Sequence, residues 1–118
     1  MLQSNDNEWQ SLGAADRFAV GSVSPEKMMG EYGNQVEIAI VRTEAGLDVI
    51  VDRCPHQGVS LTERGCINGD NQLVCTWHNW VFNLPNGTDS ESPGIRLQGI
   101  DSKIENGELL VRADPDLF

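Results

Sequence analysis

Histidine and cysteine are scarce in this chain: of its 118 residues, two are histidine and three are cysteine. Aromatic residues are few as well, at 6%. Nowhere do the roughly eighteen apolar residues of a membrane-spanning helix run together. The first ten residues are polar and acidic, without the basic and apolar regions of a secretory signal. A glycine-rich dinucleotide fingerprint is missing, which argues against direct hydride uptake from NADH. Bases are also few, eight Lys and Arg against eighteen Asp and Glu, for a net charge of −10. That balance argues against nucleic acid as a partner, because such binding rests on phosphate neutralisation by Lys and Arg. The acids are spread along both halves, with no acidic tail. They favour solubility and would steer the chain toward a basic partner surface. There is no low-complexity segment and no internal repeat beyond the two matched clusters described next.

What is present is concentrated. Both histidines and all three cysteines fall between Cys54 and Trp80, and four of these five form two short clusters, Cys54-x-His56 and Cys75-x-x-His78. Eighteen residues, Gln57 to Val74, separate His56 from Cys75. Each cluster offers one thiolate and one imidazole. Thiolates select zinc, copper(I) or iron–sulfur centres, and imidazole is compatible with several of these. A [2Fe–2S] centre in which two histidines replace two cysteines on one iron needs two loops that each give one ligand to each iron, and C-x-H-x18-C-x-x-H meets that need. A structural Cys2His2 zinc site uses the same residue types, but usually with the cysteines close together and the histidines close together. A nucleophilic Cys–His pair would leave the duplicate pair unexplained. Two buried thiols beside two core histidines is the blandest reading, and the matched arrangement opposes it.

The stretches Cys54-Pro55-His56-Gln57-Gly58-Val59-Ser60-Leu61 and Cys75-Thr76-Trp77-His78-Asn79-Trp80-Val81-Phe82-Asn83-Leu84 resemble the two cluster loops of low-potential Rieske-type ferredoxins, as in ring-hydroxylating dioxygenase systems. The resemblance implies one [2Fe–2S] cluster with Cys54 and Cys75 on one iron and His56 and His78 on the other. It implies an all-β fold of stacked antiparallel sheets, one domain over 1–118 with a small inserted cluster-binding subdomain at about 52–84. It further implies a monomeric carrier with no substrate site of its own, and three cysteines without a secretory signal fit a reducing cytoplasm. Such a carrier takes one electron from a flavin-containing reductase and gives it to a terminal oxygenase or other redox enzyme. A small subunit of a nitrite-reductase-like complex is the alternative. Both histidines are committed, so no non-haem iron site for dioxygen remains.

The neighbours refine the expectation. High-potential relatives carry a disulfide between their loops, and the matching positions here, Gly58-Val59 and Trp77, form none. Their serine and tyrosine hydroxyl donors correspond to Trp80 and Phe82, which have none to give. Fewer donors to sulfur mean a less stabilised extra electron, so the potential is expected near the low end of the Rieske range, roughly −150 mV. Trp77 and Trp80 read as core aromatics, Cys66 as a buried structural thiol, and Pro93 as the counterpart of the family's covering loop.

Local patterns give mostly short strands. Glu8–Leu12, Arg17–Val20, Gln35–Arg42 (with Val36, Ile38 and Ile40 on one face), Leu47–Val51, Gln72–Thr76, Trp80–Phe82, Ile95–Ile100 and Glu108–Arg112 read as β runs. Turns are expected at 44–46, 84–88 and 106–107, with a two-residue Asn68-Gly69 hairpin. Ser24-Pro25 reads as the start of a helical turn through Met29.

Overall fold

The computed structural model describes residues 9–30, 33–54, 60–76, 80–84 and 97–112. Its architecture follows from the strand with the densest apolar content, β3, Gln35–Thr43. Side chains alternate across a strand. In β3 the even set, Val36, Ile38 and Ile40, and the odd set, Ala39, Val41 and Thr43, are both buried. A strand with two buried faces belongs in the middle of a stack. β2 (Ser22–Met29) and β4 (Gly46–Val51) pair antiparallel on either side of it. The β3–β4 hairpin closes at Thr43↔Gly46 around Glu44-Ala45, as expected. The one buried polar side chain of β3 is satisfied locally, since the Thr43 hydroxyl accepts from the Ala45 N–H at 3.1 Å.

On the even face lies a sheet of β1 (Gln10–Ala14), β8 (Asp101–Glu105) and β9 (Glu108–Arg112), in the order β1-β9-β8. Leu109, Val111, Ile100, Ala15 and Phe18 meet Val36, Ile38, Ile40 and Val49 there. The β8–β9 hairpin turns through Asn106 and Gly107 with φ of 53° and 80°, the left-handed pair that a two-residue primed turn requires. On the odd face lies a smaller sheet of β5 (Gly65–Ile67), β6 (Leu73–Cys75) and β7 (Trp80–Phe82), entered through a single helical turn, α1 (Leu61–Arg64). Ala39, Val41 and Ile50 face Cys54, Leu61, Leu73, Cys75, Phe82 and Leu97 in this second core. The described residues therefore form three antiparallel three-stranded sheets, all-β apart from α1 and one 3-10 turn.

Four local expectations are corrected. Ser22–Met29 is strand, not helix; Pro25 pairs with Ala39 on an edge strand, where only one side carries a ladder and a missing N–H is tolerated. Arg17–Val20 is no strand: Ala15–Arg17 forms the 3-10 turn, and Phe18 is buried as an isolated anchor of the first core. The β5–β6 connection is longer than a two-residue Asn-Gly turn. Ile67 pairs with Leu73, and the Asn68 side chain accepts from the N–H groups of Asp70 and Gln72, each at 2.9 Å, while Asn71 takes the positive φ of 60°. Finally, the penultimate strand starts at Asp101. Residues 97–100 instead lie along β4, with the Val51 N–H donating to Gln98 O and the Ile100 N–H to Val49 O, both at 2.9 Å. The expected turn at 84–88, beyond Leu84, and the segment around Pro93 lie outside the described residues.

Candidate metal centre

Cys54 and Cys75 stand at the roots of the two motif loops. Cys54 follows the end of β4 by three residues, after a turn in which the Asp52 N–H donates to Glu37 O at 3.0 Å and the Arg53 N–H to Val51 O at 2.7 Å. Cys75 ends β6, opposite Gly65 on one side and Trp80 on the other. Both side chains are fully buried, at 0% exposure, within the same apolar cluster. His56 and His78 fall in 55–59 and 77–79, outside the described residues, as do Gly58, Val59 and Trp77.

The ends of the first loop are tied by a carboxylate that sequence reasoning missed. Asp52 Oδ1 accepts the Thr62 N–H, and Oδ2 accepts the hydroxyls of Ser60 and Thr62, each at 2.9 Å. Residue 52 precedes the loop and residues 60 and 62 follow it, so these bonds close its neck. An open cavity of about 440 Å³, lined also by Pro25, Glu26, Lys27, Glu37 and Glu63, borders the clamp. The second loop is hooked to the first through α1: the Thr76 N–H and hydroxyl both donate to Arg64 O, at 2.8 and 2.7 Å. The only sequence sign of the clamp is an Asp two residues before a motif cysteine and a Ser-x-Thr just beyond the loop. Neither is distinctive without knowing that the loop folds back.

Gly65 belongs to the same assembly. A Cβ there would collide with the Leu61 carbonyl and come within 3.2 Å of Leu73 Cδ1, so only glycine lets α1 run this close to β5. Phe82 is fully buried in the cluster that holds both cysteines, and it brings no hydroxyl. Cys66 departs from its expected role. It is exposed, not buried, because side chains alternate along β5 and the adjacent Ile67 is the one packed against the second core.

These residues fit a soft-metal centre. Two thiolates buried among aliphatic and aromatic side chains would be costly unless a positive partner met them. Here both lie in a packed apolar cluster, and side-chain bonds hold the backbone near each of them.

The sequence matches the Rieske [2Fe-2S] domain over residues 8–99. The chain belongs to the Rieske family. Membership brings one Rieske-type [2Fe–2S] cluster. Among Rieske relatives, the ferredoxin component of the alkene monooxygenase system of Xanthobacter autotrophicus (strain ATCC BAA-1158 / Py2) is 33% identical over 79 residues, 67% of this chain and 64% of that one. The chain thus spans less than two thirds of that relative's length. A chain of the complex of reduced oxygenase and oxidized ferredoxin in carbazole 1,9a-dioxygenase superposes with a TM-score of 0.73 at 25% identity, over 93% of this chain and 97% of that one. A putative NADH-dependent nitrite reductase small subunit from Mycobacterium tuberculosis shares the Rieske fold with a TM-score of 0.73 at 16% identity, over 91% of this chain and 96% of that one. Among the described residues no helix is long and apolar enough to cross a membrane.

Proposed function

We propose that this Rieske protein is a one-electron carrier that accepts from a flavin-containing reductase and delivers to a terminal oxygenase. Cys54 and Cys75 hold one iron of the cluster and His56 and His78 the other. The observation that carries the reading is the pair of fully buried cysteines in one core, each at the root of a loop that continues into a histidine. When bound, the cluster takes up and gives back a single electron. The chain's own part is to hold the ligands still and keep water off the sulfurs. Ile50, Leu61, Leu73, Phe82 and Leu97 form the apolar shell, and the bonds of Asp52 and Thr76 hold the loop roots. With both histidines used as ligands, the chain has none left for a dioxygen-activating iron, so it passes electrons and leaves catalysis to its partner.

Protein made anaerobically should contain iron and acid-labile sulfide, be red-brown, and give a rhombic EPR signal on reduction. Absence of iron and sulfide would remove the reading. The midpoint should lie near the low end of the Rieske range, roughly −150 mV, since Phe82 offers no hydroxyl to the sulfurs. A clearly positive midpoint contradicts that account. Turnover with a separately purified reductase and oxygenase supports a diffusing carrier. Stable co-purification with a large redox subunit would favour a nitrite-reductase-like assembly, whose small subunit has the same fold at nearly the same length.

A further inference from the structure

We propose that Asp52 is a positioning residue for the cluster: its carboxylate holds the two ligand loops in mutual register. The inference rests on the iron–sulfur reading above.

The argument begins with a hydrogen bond that is not made. Ser60 is the N-cap of α1, where a serine hydroxyl ordinarily accepts from the N–H groups of the first turn. Its side chain makes no such cap. It donates to Asp52 Oδ2 instead, and Asp52 Oδ1, from eight residues upstream of Ser60, takes the Thr62 N–H that a local cap would have satisfied. Local capping chemistry has been exchanged for a link across the loop that carries Cys54 and His56. A four-residue helix gains little from a distant cap; a loop with two metal ligands gains a fixed neck.

The link continues in both directions. Behind Asp52, its own N–H is bonded to Glu37 O on the central strand. Ahead of it, α1 ends at Arg64, whose carbonyl receives both donors of Thr76, the residue after Cys75. Cys54 is two residues from one end of this relay and Cys75 one residue from the other. Their relative placement is thus set through Asp52, Thr62, Arg64 and Thr76.

The test starts with the parent protein, whose iron and sulfide content decides the cluster reading by itself. Asp52→Ala, Asp52→Asn, Ser60→Ala and a remote control, Val111→Ala in the first core, are then compared. The readouts are the EPR line shape after reduction and the rate at which visible absorption fades under an iron chelator. Asp52→Ala should lose its cluster at least about tenfold faster, with a shifted or broadened spectrum, since it removes hydrogen bonds to a charged group. Ser60→Ala should fade about three- to tenfold faster. Asp52→Asn keeps an acceptor for the Thr62 N–H and donors for the two hydroxyls, so it should retain the parental line shape and fade within about threefold of the parent. Val111→Ala should melt lower with line shape and fading unchanged. Parental behaviour in Asp52→Ala, failure of Asp52→Asn equal to that of Asp52→Ala, or the same spectral change in Val111→Ala would each overturn the proposal. If Asp52→Ala does not fold, parental fading in Ser60→Ala overturns it.

Discussion

A single methyl group on Gly65 should be felt throughout the cluster-binding sheet, because it would press on the backbone carbonyl of Leu61, which has nowhere to yield. Gly65→Ala is expected to cost about 1–3 kcal/mol by urea unfolding. Gly69→Ala, where nothing lies within 4 Å of the added carbon, should be close to neutral, and equal losses in the two would refute the steric account. Cys66 makes the opposite prediction. Being exposed, it should react with a thiol reagent in the loaded protein without bleaching it, and Cys66→Ser should keep the full visible spectrum. Asp48, half-buried on β4, has its carboxyl raised above the ordinary 3.8 by burial. Its proton is held more tightly folded than unfolded, so it adds stability below the ordinary value and loses that contribution as pH rises through the raised one. Asp48→Asn should therefore melt higher than the parent at neutral pH, with the gain shrinking in acid; an equal gain at both pH values would count against burial as the cause.

At the scale of elements, β3 is where sequence and structure agree most closely. Its alternation of Val36, Ile38 and Ile40 identified one buried face directly. The second face, Ala39 and Val41, escaped notice because small residues against another sheet do not stand out from a run of apolar ones. Ile38→Ala should cost about 2–5 kcal/mol in stability yet leave the EPR spectrum unchanged, since Ile38 faces away from the cysteines; a changed spectrum would show that the two faces are coupled. Pro25 misled for a physical reason. Ser-Pro is as good an opening for a helix as it is tolerable on a strand edge, and only the pairing with β3, remote in sequence, decides between them. The two motif loops stood out because metal chemistry restricts both residue type and spacing. Their support could not, because Asp52, Ser60 and Thr62 act through a fold-back that no periodicity announces.

For the molecule as a whole, the net charge of −10 matters more for encounter than for folding. Reduction by a reductase with a basic docking face should slow as salt is raised from about 0.01 to 0.15 M, over which the screening length falls from roughly 30 to 8 Å. Stopped-flow rates that ignore salt would mean that charge does not guide the approach. The stacking of three sheets has a different consequence. The wall between the two cores is one sheet thick, and that sheet is gripped from its far side by Leu109, Val111 and Phe18. Removing the irons would strip only the near side. The β5–β7 lobe would then slacken, with its amides exchanging first, while the remaining two sheets stayed shut. A molecule damaged at its metal would thus persist as a half-furnished scaffold, open at one end and ready to be refilled.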